Sequence, residues 1–216
     1  MTLKEKGEKI FHLLDTHSSD KIEFLEFRSP FELLISVILS AQTTDISVNR
    51  VTPLLFETYP TALDLSLGNL ELVEKIIHST GFYKNKARNI IGASKSLVEN
   101  FNSIVPFDMD SLLTIPGIGR KSANVIIGRF SHPGAIIVDT HFMRVVHRLG
   151  LVSKKDPYTI EMEIKELIEE KKQYRFSMIV NLHGRRVCFS RTPSCKTCIL
   201  SHLCDYLMVT GISTNG

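Results

Sequence analysis

Along most of this chain apolar residues recur every three or four positions, the period of a helix with one inward face. Residues 1 to 16 place Ile10, Leu13 and Leu14 on one face and predict an amphipathic helix. Residues 19 to 28 read as a loop. Ser29-Pro30-Phe31-Glu32 marks a helix start, because serine can cap, proline suits the first position and glutamate can close a capping box. The helix that follows, through Leu33, Leu34, Ile35, Val37, Ile38 and Leu39, is apolar almost all round and is expected to be central and buried. It ends on a polar run, residues 40 to 45, where Thr44 or Asp45 can cap the next helix through Val48, Val51 and Leu55. Further helices are predicted near residues 70 to 78, 86 to 100, 157 to 171 and 175 to 186. Gly81 reads as a helix stop that leaves Phe82 and Tyr83 in a short polar loop. Ala135-Ile136-Ile137-Val138 is β-prone but has no partner strand, and no repeat or low-complexity tract occurs, so the expected fold class is all-α.

One stretch interrupts the periodicity. Leu113-Thr-Ile-Pro-Gly-Ile-Gly-Arg-Lys-Ser122 follows a short capped segment at Asp110-Ser111-Leu112-Leu113 and precedes Ala123, Ile126, Ile127 and Phe130 at helical spacing. Pro116, Gly117 and Gly119 force a tight turn, which makes the unit helix, hairpin, helix. Amides at a helix start lack intrahelical partners, so those of Ile118, Gly119 and Arg120 can face a phosphate. A nucleotide-binding P-loop is the rival, but it needs glycine directly before the lysine, and Arg120 intervenes. Lys121 falls in the first turn, where the positive end of the helix dipole disfavours an ammonium and partial burial would act in the same direction; it is either a candidate amine nucleophile or a solvated lysine touching phosphate. Asp139 precedes a helix through Phe142, Val145, Val146 and Leu149. It reads as an N-cap, with its second carboxylate oxygen left for other work.

The 216 residues allow one large domain or two small ones. No run of eighteen apolar residues occurs, so no membrane span is expected. The charged start is unlike a secretory signal, and an intracellular protein is expected, on the nucleoid in a bacterium. Net charge is only +3. Its distribution says more: residues 171 to 204 hold no Asp or Glu but include Lys171, Lys172, Arg175, Arg185, Arg186, Arg191 and Lys196. Such a segment suits a polyanion, and equally a solvated basic face.

All four cysteines, Cys188, Cys195, Cys198 and Cys204, share one window with the spacing C-x6-C-x2-C-x5-C. In a reducing compartment this points to a metal site rather than disulfides. Zinc and a [4Fe–4S] cluster both accept four thiolates, and spacing does not separate them.

The hairpin with its lysine, the Val138-Asp-Thr-His segment and the cysteine window resemble the helix-hairpin-helix DNA glycosylase superfamily, in its endonuclease III branch. The resemblance runs from about residue 30 to 204. It implies two helical lobes, residues 22 to 133 and residues 1 to 21 with 134 to 216, the second holding a [4Fe–4S] cluster on the four cysteines. It implies Lys121 as nucleophile and Asp139 as acidic partner across a cleft. Gln42, locally a helix-end amide, would enter the duplex where a damaged base has left. Phe82, locally a loop anchor, would wedge between bases. The hairpin amides, Arg186 and Arg191 would hold the DNA backbone. The implied activity is removal of oxidised pyrimidines from duplex DNA, with strand cleavage at abasic sites through a lysine Schiff base; a monomer is the default expectation. Three alternatives remain. An adenine-mismatch glycosylase is disfavoured because such enzymes usually carry a further C-terminal domain and lack the lysine. A thymine-mismatch glycosylase is harder to set aside. A non-catalytic, metal-stapled DNA-binding module is disfavoured by the pairing of Lys121 with Asp139.

Overall fold

The computed structural model describes residues 1–18, 22–131 and 134–210. The helices are α1 (Leu3–Thr16), α2 (Pro30–Leu39), α3 (Asp45–Thr58), α4 (Ala62–Ser66), α5 (Leu70–Ile77), α6 (Tyr83–Asn100), α7 (Met109–Leu113), α8 (Arg120–Phe130), α9 (Thr140–Arg148), α10 (Pro157–Leu167), α11 (Glu170–Arg186) and α12 (Asp205–Thr210). Short 3₁₀ turns lie at His78–Thr80, Cys195–Thr197 and Ser201–Leu203. Among the described residues there is no strand; residues 135–138 are extended and buried but pair with nothing as a sheet.

The chain divides into two compact units, Glu23–Ser131 and Met1–Ile22 with His132–Gly216. The expected lobe boundaries fall on Lys21 and Pro133, outside the described residues, as does the start of the expected loop at residues 19 to 28.

In the first unit α2 is the central element. Leu33, Leu34, Ile35, Val37, Ile38 and Leu39 are all buried, and α2 packs against α3, α6 and α8. Its start differs from the expected capping box in one detail. The Ser29 hydroxyl accepts from the Glu32 amide at 3.2 Å, but the Glu32 carboxylate accepts from the Arg28 amide at 2.6 Å, one residue earlier. Thr44 caps α3 by accepting from the Ser47 amide at 3.3 Å. The five-residue α4, with a capping box between Thr61 and Asp64, is too short to announce itself by periodicity.

The second unit is built round Phe142 and Phe176, whose rings meet edge-on at 6.0 Å between centroids. Ile10, Leu14, Val146, Ile160, Ile164, Val180, Leu200 and Leu203 complete that core. The helix expected at residues 157 to 171 stops early. Ile168 turns extended and buries its side chain in the core, and the Gln173 amide closes the break by donating to the Lys165 and Ile168 carbonyls at 3.0 and 2.9 Å. This leaves α11 to begin at Glu170, five residues before its expected start.

Candidate active site

In the unit Glu23–Ser131, α7 and α8 flank the hairpin. Asp108 caps α7, accepting from the Ser111 amide at 2.8 Å; the expected cap, Asp110, lies inside the first turn instead. The Ile118 amide donates to the Ile115 carbonyl at 3.1 Å and so tightens the turn. Gly117 sits at φ 83°, and a Cβ there would come to 3.0 Å from Ile38 and 3.1 Å from Asn89. The left-handed backbone therefore demands glycine, and an added Cβ would also crowd two side chains. Gly119 is the N-cap of α8 and supplies no side-chain acceptor. The amides of Gly119, Lys121 and Ser122 meet no acceptor among the described residues. The Ile118 amide was expected among the phosphate-facing donors. It is already used by the turn, and its side chain is buried, so the offered amides begin at Gly119.

Lys121 occupies the second position of α8 and is exposed, so burial does not add to the effect of the helix dipole there. Arg120, at the first position, is half-buried.

The same unit carries Gln42 and Phe82. Both have left-handed backbones, at φ 52° and 49°. Phe82 is 68% exposed, so it does not pack down as a loop anchor. It also does not sit inside a loop: it is the N-cap residue of α6, which starts at Tyr83, three residues before the expected helix.

In the unit containing α9 and α11, Asp139 has two distinct oxygens. Oδ1 caps α9, accepting from the Phe142 amide at 2.8 Å. Oδ2 accepts from the side-chain amide of Asn181, which is buried on α11. The Asn181 carbonyl oxygen accepts in turn from Arg185 Nε at 2.7 Å. Helices α9 and α11 approach closely enough at Gly184 that a Cβ there would reach 3.0 Å from His141 Cβ.

The four cysteines share this unit and line one cavity with Arg148, His183 and Tyr206. Cys188, Cys195 and Cys198 are half-buried and Cys204 is buried, and none forms a disulfide. Burial first, then the neighbouring sulfurs of Cys188, Cys204 and Cys195, push Cys198 up to about 11, and the Leu200 amide opposes them. Burial and the sulfurs of Cys188 and Cys204 likewise raise Cys195, while Arg148 lowers it. His183, held neutral by burial that lowers it to about 4, sets Nε2 3.6 Å from Cys198 Sγ.

The loop after Cys188 is pinned by two arginines one turn apart on α9. Arg148 donates to Cys188 Sγ at 3.2 Å, the Phe189 carbonyl at 2.7 Å and the Ser190 carbonyl at 2.8 Å. Arg144 donates to the Cys188 and Gly184 carbonyls at 3.0 and 2.8 Å. Sequence reasoning missed these arginines, Asn181 and His183. Arg144 and Arg148 had one legible signal, their i, i+4 spacing on the polar face of α9.

The basic segment is less one-signed in three dimensions than in sequence. Lys171 pairs with Glu169 at 2.7 Å, Lys172 with Glu8 at 2.8 Å and Arg175 with Asp15 at 2.7 Å. Arg186, Arg191 and Lys196 are exposed and pair with no carboxylate among the described residues.

Comparison with known proteins defines the class first. Residues 35–170 match the family model for the HhH-GPD superfamily of base excision DNA repair proteins. Endonuclease III of Synechocystis is 46% identical over 181 residues, covering 83% of each chain, and that of Rickettsia felis is 40% identical, covering 92% of this chain and 93% of the relative. The fold also matches a non-covalent endonuclease III–DNA complex at TM-score 0.91 and 37% identity, covering 99% of this chain and all of that one. A trapped covalent endonuclease III–DNA intermediate matches at 0.90 and 38%, covering 98% of this chain and all of the other. The chain belongs to the endonuclease III family.

Proposed function

We propose that this chain is a bifunctional base-excision enzyme. It removes oxidised pyrimidines from duplex DNA and then cuts the strand at the abasic site, acting as a monomer. The observation that carries this reading is the exposed amine of Lys121, set in the first turn of α8 behind a hairpin with unpaired amides, in a chain that matches a trapped covalent endonuclease III–DNA intermediate over 98% of its length.

The chemistry follows from the residue types. The target nucleotide must leave the stack before its C1′ can be reached. The amides from Gly119 onward take a backbone phosphate at the positive end of α8. Arg186 and Arg191 add phosphate contacts, and Gln42 and Phe82 fill the gap left in the duplex. As the glycosidic bond lengthens, positive charge grows on the sugar, and the Asp139 carboxylate stabilises it. The neutral Lys121 amine bonds to C1′ and the base leaves with the bonding electrons, taking a proton. The sugar ring then opens to a lysine imine. Loss of a C2′ proton expels the 3′ phosphate by β-elimination, and water releases the lysine.

The cysteine window fits a [4Fe–4S] cluster. Four sulfurs line one cavity, and burial together with the neighbouring sulfurs raises Cys195 and Cys198; a cationic centre among them would offset that repulsion. Cys188, Cys195, Cys198 and Cys204 would hold it, and the cluster would staple the loop bearing Arg191 in place. Arg148, already donating to Cys188 Sγ, suits a sulfur that carries negative charge.

Incubation with a thymine-glycol duplex, beside a duplex with a G·T mismatch, tests the reading. The expected outcome is base release with strand cleavage on the first and neither on the second. Thymine release from the mismatch without a cut would assign the chain to the monofunctional mismatch enzymes instead.

A further inference from the structure

Lys86 is 4% exposed, and no carboxylate among the described residues pairs with it. Burying an ammonium without a counter-charge is unfavourable unless its donors are met. Here two of its three N–H donors are met by two other segments of the same unit. Nζ donates to the Thr43 hydroxyl and, at 2.9 Å, to the Thr80 carbonyl. The Thr43 hydroxyl donates to that same Thr80 carbonyl, closing a three-membered ring of contacts.

What these contacts join is the point. Thr43 directly follows Gln42, and Thr80 lies two residues before Phe82. The backbone amide of Lys86 donates to the Phe82 carbonyl at 3.2 Å, so one residue holds the Gly81–Phe82 turn from both sides. Among the described residues four non-glycine positions have positive φ. Asn102 and Ser103 directly follow the C-cap of α6, where short polar side chains tolerate it. Gln42 likewise follows the end of α2, but Phe82 begins a helix and is neither short nor polar. An aromatic residue held left-handed and 68% exposed persists only when its surroundings over-determine it.

We propose that Lys86 is a positioning residue that clamps the Gln42 turn to the Phe82 turn, so that both side chains are preset as one two-part wedge before DNA arrives. This rests on the reading that Gln42 and Phe82 enter the duplex. Presetting the turns removes an ordering cost that would otherwise oppose binding. Lys86 itself touches no DNA; it acts through the two turns.

The test is a double-mutant cycle. Lys86→Met keeps the stem and removes the donors; Gln42→Ala/Phe82→Ala removes what the clamp presents. Damaged-duplex affinity should fall on the order of tenfold for Lys86→Met alone, the size expected for lost hydrogen bonds. In the Gln42→Ala/Phe82→Ala background the same change should cost less than about twofold, because the effects share one path. A fluorescent base analogue opposite the lesion should brighten less with Lys86→Met. Borohydride trapping on a single-stranded abasic oligonucleotide, which has no gap to fill, should be retained, showing that the protein is folded. Additive losses, or a wild-type response of the analogue in Lys86→Met, overturn the clamp. If Gln42→Ala/Phe82→Ala binds like wild type, the wedge reading fails and the clamp with it; if only Lys86→Met is silent, the clamp alone fails.

Discussion

Asn181 donates its side-chain amide to the oxygen of Asp139 that does not cap α9. Asn181 is buried, and Arg185 fixes it by donating to its carbonyl oxygen at 2.7 Å. The carboxylate is thus oriented at both oxygens, and its direction is a property of two helices rather than of one cap. Asn181→Leu, similar in volume, should slow base release roughly tenfold or more, the worth of one charge-assisted hydrogen bond. Cleavage of a preformed abasic site should suffer less, since no base has to be expelled. Single-turnover kinetics on the two substrates check this; equal losses on both would place Asn181 outside the glycosidic step.

The two hairpin glycines should separate. Gly117 combines φ 83° with contacts that would crowd a Cβ, so Gly117→Ala should cost about 1–3 kcal/mol of stability. At Gly119 an added Cβ meets nothing within 4 Å and the backbone is ordinary at φ −105°. Gly119→Ala should therefore leave stability within about 1 kcal/mol. It should nonetheless weaken DNA binding, because the methyl group stands where a phosphate would approach. Denaturant titration and duplex affinity, measured on both variants, give the contrast.

Most of the helical architecture could be read from the sequence, as could the residue types of the candidate site, and the exceptions have a common cause. Long amphipathic helices such as α2 and a glycine-rich turn before a lysine are written in neighbouring residues. The break at Ile168 is not, since it depends on Gln173 reaching back to two carbonyls. Asn181, Arg144, Arg148 and Lys86 were missed for the same reason: each acts on a partner far along the chain, and no local period records that. Phe82 was legible as chemistry but not as conformation. Its left-handed φ follows from the turn that Thr80 and Lys86 hold.

The cysteine window should bind iron with inorganic sulfide, about four of each per chain. Elemental analysis of protein purified without oxygen checks it. One zinc and no iron would leave the four thiolates with a structural zinc site.

Arg148 and Arg191 should fail differently. Arg148→Met removes three donors from the Cys188–Ser190 backbone and sulfur, so iron should be lost faster to a chelator and DNA binding should weaken as the loop loosens. Arg191→Met should keep its iron. Its binding should weaken equally on damaged and undamaged duplex, with the salt dependence reduced by about one charge. Chelator kinetics beside affinity at several salt concentrations separate the two; identical behaviour would mean that Arg148 does not act through the loop.

As the proposed nucleophile, Lys121 forms an imine with the sugar C1′. Borohydride added during turnover of a damaged duplex reduces a lysine–sugar imine to a stable protein–DNA adduct. Wild-type protein should give that adduct. Lys121→Gln, which keeps a polar side chain at the exposed second position of α8, should bind the duplex and give none. An adduct from Lys121→Gln at the wild-type rate would contradict the account, because another amine would then be doing the chemistry.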